Sequence, residues 1–217
     1  MKYPFQGIIF DMDGTLLDSM PYWRNMKRLY LTERGVDPSD HDLYVLQTLS
    51  LKDNAYFIRE HYPAIQESPA EIEADFSKAC LSFYTQGIPP KKGLIPFLDA
   101  MKERGVPLAI ASATAPDLMD LALTASGIRH YFHATVSTKT VGKSKAEPDV
   151  FLKAAEAIGT SPEVTFVFED VLPNVKTAKK AGFLTAAVFD SDEINQTEMQ
   201  EVAHVYLPDF TDWSHYF

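Results

Sequence analysis

The chain has 217 residues, 46% of them apolar, enough to bury a sizeable core in one large domain or in a core domain carrying a smaller insertion. Its formal net charge of −10 and pI near 5.0 have the wrong sign for attraction to nucleic acid or an anionic membrane surface, which argues against both as partners. A single cysteine, Cys80, excludes an internal disulfide and suits a reducing compartment, so a cytoplasmic location is expected.

The N-terminal stretch Met1–Phe10 is too short for a signal-peptide apolar region with a cleavage site, and it runs directly into Asp11 and Asp13. No apolar run approaches the roughly 18 residues that a membrane span needs. Gln6–Phe10 (QGIIF) reads as a short buried strand whose carboxyl end delivers Asp11 to solvent. From about Leu17 to Pro90 no strand is convincing. Helical spacing of Tyr22, Met26, Leu29 and Tyr30, and of Ile72, Phe76, Ala79, Cys80 and Phe83, predicts a small all-α insertion there. Pro89, Pro90 and Gly93 mark the return.

Three more short apolar runs follow, VPLAIA (106–111), VTFVF (164–168) and LTAAVF (184–189), and each reads as a buried strand. Helical periodicity lies around them in Leu94, Phe97, Leu98 and Met101, in Leu118, Leu121, Ala122 and Ala125, and in Phe151, Ala154, Ala155 and Ile158. Gly105, Gly127, Gly159 and Gly182 stand where a left-handed residue ends a helix, and Pro116, Pro148 and Pro162 suit first-turn or turn positions. Ala203–Leu207 reads as a final edge strand. Alternating βα units predict an α/β fold: a Rossmann-like parallel sheet core with helices on both faces, functional residues at the strands' carboxyl ends, and a small all-α domain inserted. The expected division is 1–16 with 90–217 for the core and 17–89 for the insertion.

The sharpest chemical signal is Asp11-Met12-Asp13-Gly14-Thr15-Leu16-Leu17-Asp18-Ser19, directly after the first strand. Two carboxylates two residues apart at a strand end can divide the work of phosphoryl transfer, Asp11 as nucleophile and metal ligand, Asp13 as acid and base. A carboxylate attacks phosphorus only if its repulsion from the phosphate is relieved, which a bridging Mg²⁺ does. Gly14 lets the backbone turn sharply. The alternatives are a plain turn or a calcium loop, but Thr15 and Tyr22 stand where a calcium loop wants a further oxygen ligand and a Glu. Later in the chain, Ser112 closes PLAIAS, Gly142–Asp149 reads GKSKAEPD, and Glu169-Asp170 follows VTFVF. Adjacent carboxylates after a buried strand repel one another and lose solvation, a cost that a bound dication explains better than a structural role does.

With these motifs the chain resembles, over nearly its whole length, the haloacid dehalogenase-like hydrolase superfamily, specifically its phosphatases with a helical cap inserted after the first motif. The resemblance implies that Asp11 forms a phospho-aspartate and that Asp13 is the general acid and base, its carbonyl also binding Mg²⁺. Ser112 would bond a phosphoryl oxygen. A lysine would neutralise the nucleophile and the transferring group; spacing to Pro148-Asp149 selects Lys145, and Lys143, after Gly142, is the alternative. Asp170 would bind the metal directly, with Glu169 ligating through water or orienting the site. The implied substrate is a small phosphorylated metabolite, a sugar phosphate being the first expectation. Two departures stand out: Val171 replaces the usual Ser after the acidic pair, and Asn174 replaces a Gly, where Asn can still adopt a left-handed turn.

Substrate choice in such proteins comes largely from the insertion, where Trp23 and Arg24 are candidates to face the leaving group; the alternative is an aromatic packed in a helical core and a solvated arginine. His41, His61, His130, His133, His204 and His215 show no ligand spacing, and Cys80 reads as a packed small side chain. Rival readings are a phosphomutase of the β-phosphoglucomutase type, disfavoured by DGT in place of DGV and by the lack of a nearby His, a dehalogenase, and a non-catalytic phosphate-binding or partner-binding module.

Overall fold

The computed structural model describes residues 3–217, apart from the side chain of Thr48; Met1 and Lys2, which open the N-terminal stretch discussed above, lie outside the described residues. In chain order the elements are β1 (Gly7–Phe10), α1 (Met20–Thr32), α2 (Asp40–Thr48), α3 (Leu51–His61), α4 (Pro69–Thr85), α5 (Leu94–Glu103), β2 (Leu108–Ser112), α6 (Pro116–Ala125), β3 (Ala134–Ser137), α7 (Thr138–Val141), α8 (Asp149–Ala157), β4 (Thr165–Glu169), α9 (Leu172–Lys180), β5 (Leu184–Val188), α10 (Gln196–Val202) and β6 (Val205–Leu207). The strands pair in parallel in the order β3-β2-β1-β4-β5-β6, an α/β fold of the Rossmann-like kind.

Strand alternation sends two different surfaces into two cores. Ile9, Ala109, Ala111 and Val167 pack with Val150, Phe151, Ala154 and Ala155 of α8 and with Ala178 of α9. On the opposite face, Phe10 and Phe168 meet Phe97 of α5, and Phe168 stacks on Phe210 of the C-terminal segment. Both faces are therefore covered, which is why β1, β2 and β4 read as unbroken apolar runs. Strand β3 went unread in the sequence because it is an edge strand with three of its four residues half-exposed, so no apolar run marks it. Among the described residues no helix is long and apolar enough to cross a membrane.

Two compact units result, residues up to Asp18 together with Ile88–Phe217, and Ser19–Gly87. Segments 16–18 and 89–91 stay with the sheet unit because they pair with each other: Asp18 N–H donates to Pro89 O at 2.9 Å and Lys91 N–H to Leu16 O at 2.8 Å. Within the helical unit, Tyr30, Leu31, Leu43, Leu46, Ala55, Ile58, Ile72 and Phe76 form a separate core. Serines cap three of its helices: Ser39 and Ser68 make capping boxes with Asp42 and Glu71, and Ser50 accepts from the Asp53 N–H. The apolar stripe expected on α1 is corrected in part: Tyr22 and Leu29 are exposed, while Lys27 is buried and donates to Leu46 O at 2.9 Å. Cys80 is buried on α4 between Phe76 and Phe83.

Candidate active site

The order of the sheet reverses at β1, whose neighbours are β2 on one side and β4 on the other, and side chains leaving the carboxyl ends of these strands converge there. Asp11 follows Phe10 of β1, and its N–H donates to Phe168 O at 2.9 Å, which extends the β1–β4 ladder by one residue. That bond sets Asp11 beside Glu169 and Asp170 at the end of β4, and ligand atoms of the three carboxylates lie within 4.8 Å of one another. After Asp13 the chain doubles back: Gly14 takes φ +85°, and both Leu16 and Leu17 N–H donate to Met12 O. The turn leaves Asp13 half-buried, with Oδ2 accepting from the Thr114 hydroxyl at 2.9 Å. Ser112 ends β2 on the other flank of β1, buried, its Oγ accepting from Thr114 N–H.

Lys145 reaches this cluster from the loop between α7 and α8. Left-handed Gly142 closes α7, and Lys143 turns outward to pair with Asp149 at 2.9 Å on the surface. Lys145 turns inward, is buried, and its Nζ bonds both Asp11 and, at 2.6 Å, Glu169. Of the two candidate lysines only Lys145 contacts the carboxylates.

The carboxylates differ in how they are satisfied. Glu169 Oε1 accepts from Lys145 Nζ and from Asn174 Nδ2 at 3.0 Å, and Oε2 accepts from the N–H groups of Asp170 and Val171, both at 3.0 Å. Asp170 Oδ1 accepts from the Thr15 hydroxyl at 2.7 Å, while its Oδ2 is buried without a hydrogen-bond partner. Burial pushes the Asp11 carboxyl up from its ordinary 3.8 to about 7; Lys145 opposes the rise and Glu169 adds to it. Burial and then the charges of Glu169 and Asp11 hold Asp170 well above the usual carboxylate range. Burial alone would weaken the Lys145 ammonium, but Asp11 and Glu169 more than offset it and raise its pKa above the ordinary lysine value.

These features fit a divalent cation. Three buried carboxylates against one lysine leave two surplus negative charges when all are ionised, and an unpartnered buried carboxylate oxygen is an expensive feature unless something positive meets it. Residues 5–182 match the sequence profile of the haloacid dehalogenase-like hydrolases. The chain belongs to that family. This hydrolase is 28% identical over 185 residues to fructose-1-phosphate phosphatase YqaB of Escherichia coli strain K12, covering 82% of this chain and 93% of that one. It is also 28% identical over 210 residues to hexitol phosphatase B of the same organism, covering 94% and 92%. Its fold superposes on the crystal structure of CbbY from Rhodobacter sphaeroides in complex with phosphate with a TM-score of 0.83 at 22% identity, covering 96% of each chain. Family phosphatases generally use a divalent metal, in keeping with the acidic cluster of this hydrolase.

Several residues of the site escaped the sequence reading. Thr114 holds Asp13 and had no signal beyond a hydroxyl two residues after Ser112, while Thr15, quoted within the first motif, holds Asp170, a partner the motif does not indicate. Asn174 is corrected: it is not left-handed, since among the described residues every positive φ belongs to a glycine, and it instead sits in the first turn of α9 as a donor to Glu169. In the helical unit, Trp23 lies edge-on to Phe83 and Tyr84, and Arg24 pairs with exposed Asp40 at 3.3 Å.

Proposed function

We propose that this hydrolase is a Mg²⁺-dependent phosphatase that cleaves a small phosphorylated metabolite, a sugar phosphate first among them, through an aspartyl phosphate on Asp11. The observation that carries the reading is the pairing of buried Asp11 with Lys145, beside a buried Asp170 oxygen that has no partner. Mg²⁺ held by Asp11, Asp170 and the Asp13 carbonyl would neutralise charge on the phosphoryl group. Asp11 attacks phosphorus, and Asp13, fixed by Thr114, gives its proton to the departing alkoxide. Lys145 and Ser112 hold the phosphoryl oxygens as negative charge shifts onto them. Asp13 then takes a proton from the water that opens the acyl phosphate, returning Asp11 as a free carboxylate.

The sugar-phosphate preference is supported by the names of the fructose-1-phosphate and hexitol phosphatases that the chain matches over most of its length. We assign substrate choice to the helical unit 19–87, with Trp23 and Arg24 as the residues to vary first, and a cytoplasmic site of action. Purified protein with Mg²⁺ should release phosphate from p-nitrophenyl phosphate and from hexose and hexitol monophosphates, and Asp11→Asn should lower turnover by roughly 10³-fold or more. A folded chain that hydrolyses none of these esters would refute the assignment.

A further inference from the structure

Glu169 and Asp170 are neighbours at one strand end with opposite hydrogen-bond states. An ionised carboxylate offers about four lone-pair positions. Glu169 has a donor on each: Asp170 and Val171 N–H on Oε2, Lys145 Nζ and Asn174 Nδ2 on Oε1. Three of these donors come with the strand end and the lysine loop. The fourth is a side-chain amide in the first turn of α9, and helix capping does not require it there. Leu172 N–H already donates to Glu193 Oε2 at 3.0 Å, and Asn174 N–H to Val171 O at 3.0 Å.

We propose that Asn174 is a positioning residue that keeps Glu169 out of direct cation coordination and aims its Oε1 at Lys145. With the amide gone, Oε1 has a vacant lone pair within a cluster whose ligand atoms already lie within 4.8 Å of one another, and it can turn toward the cation. An added carboxylate oxygen favours Ca²⁺, which takes six to eight oxygens at longer distance, over Mg²⁺, which demands near-octahedral geometry and keeps several waters. The same turn loosens Lys145 from Asp11. The kinetic consequence rests on the phosphatase reading; the cation preference does not.

The test uses the full chain, titrated with magnesium chloride and with calcium chloride by calorimetry and assayed on p-nitrophenyl phosphate. In Asn174→Ala, and in Asn174→Ser, which keeps a good helix-start residue but is too short to reach, Ca²⁺ affinity should rise about 10-fold relative to Mg²⁺. Turnover should fall about 10-fold with KM within about twofold. In a Glu169→Gln background the same change at 174 should leave the Ca²⁺ to Mg²⁺ ratio unaltered, because Asn174 acts only through Glu169. A ratio unchanged within about twofold in both folded single variants, or an equal change in the Glu169→Gln background, overturns the proposal. A wild-type chain that binds cations yet hydrolyses no phosphoester refutes the phosphatase reading alone and leaves the cation ratio legible.

Discussion

Cation binding to this site should depend steeply on pH, with a sign fixed by Asp11. Its carboxyl moves from 3.8 in the unfolded chain to about 7 in the folded, cation-free protein. Across that interval the folded state holds a proton that the unfolded state has lost, so the stability of the cation-free protein falls as pH rises from about 4 to about 7 and levels above it. The full effect is on the order of 4 kcal/mol. A divalent cation held here would take the ionised carboxylate, so it would have to displace that proton below about 7, and its apparent affinity should drop roughly tenfold for each pH unit. Asp170, also raised, adds to the slope.

At about pH 8, a Mg²⁺ concentration near 100 times its dissociation constant stabilises by about 2.7 kcal/mol, a rise in Tm of roughly 5–10 °C for a chain of this length. At about pH 5.5 the same concentration is only a few times the dissociation constant, and the rise shrinks to roughly 2 °C. Thermal unfolding with and without Mg²⁺ at both pH values measures the difference, and calorimetry in two buffers of different ionisation enthalpy counts the protons released. Equal Tm shifts at the two pH values, or heats independent of buffer, would refute the assignment of a raised Asp11 to the cation site.

The two lysines of the GKSK segment should separate cleanly. Lys145→Met leaves Asp11 and Glu169 buried without their cation and should cost about 3–5 kcal/mol together with most of the turnover, whereas Lys143→Met breaks only a solvent-screened surface pair with Asp149 and should leave stability close to that of the wild type. Urea unfolding and phosphate release on the two variants check both statements. Gly93→Ala should destabilise by more than about 2 kcal/mol, because Gly93 sits at φ +77° and an added Cβ would fall 2.6 Å from the backbone carbon of Phe210; a melting temperature within about 2 °C of wild type would contradict this.

Much of the fold was legible because its central strands are buried on both faces and carry continuous apolar runs, while glycines at helix ends fixed the punctuation. Strand β3 was not, since an edge strand with half-exposed Ala134, Thr135 and Val136 has neither an apolar run nor alternation. Asp11, Glu169-Asp170 and Ser112 were legible as polar residues abruptly ending such runs. Lys145 and Lys143 share a loop and a residue type, and spacing ranked them; burial is what separates them, and burial depends on packing that local sequence does not encode. Thr15 and Thr114 bond residues 155 and 101 positions away, and no local pattern reports a partner at that distance.

The spacing read on α1 marks a real helix, Met20–Thr32, but only part of its buried face. Of the spaced residues Tyr22 and Leu29 are exposed, and the buried face includes Lys27, whose ammonium donates to the carbonyl of Leu46 near the end of α2. A lysine satisfied by a helix-end carbonyl can occupy an interior position that a hydropathy pattern forbids. The same logic governs Glu169: saturation by four donors lets a carboxylate lie fully buried at the end of β4, with one of the four, Lys145, carrying the countercharge. Asp170, equally buried but with a single hydroxyl donor, lacks that compensation. Two adjacent acids of one strand end thus have different hydrogen-bond states, and neighbouring donors rather than residue type set them.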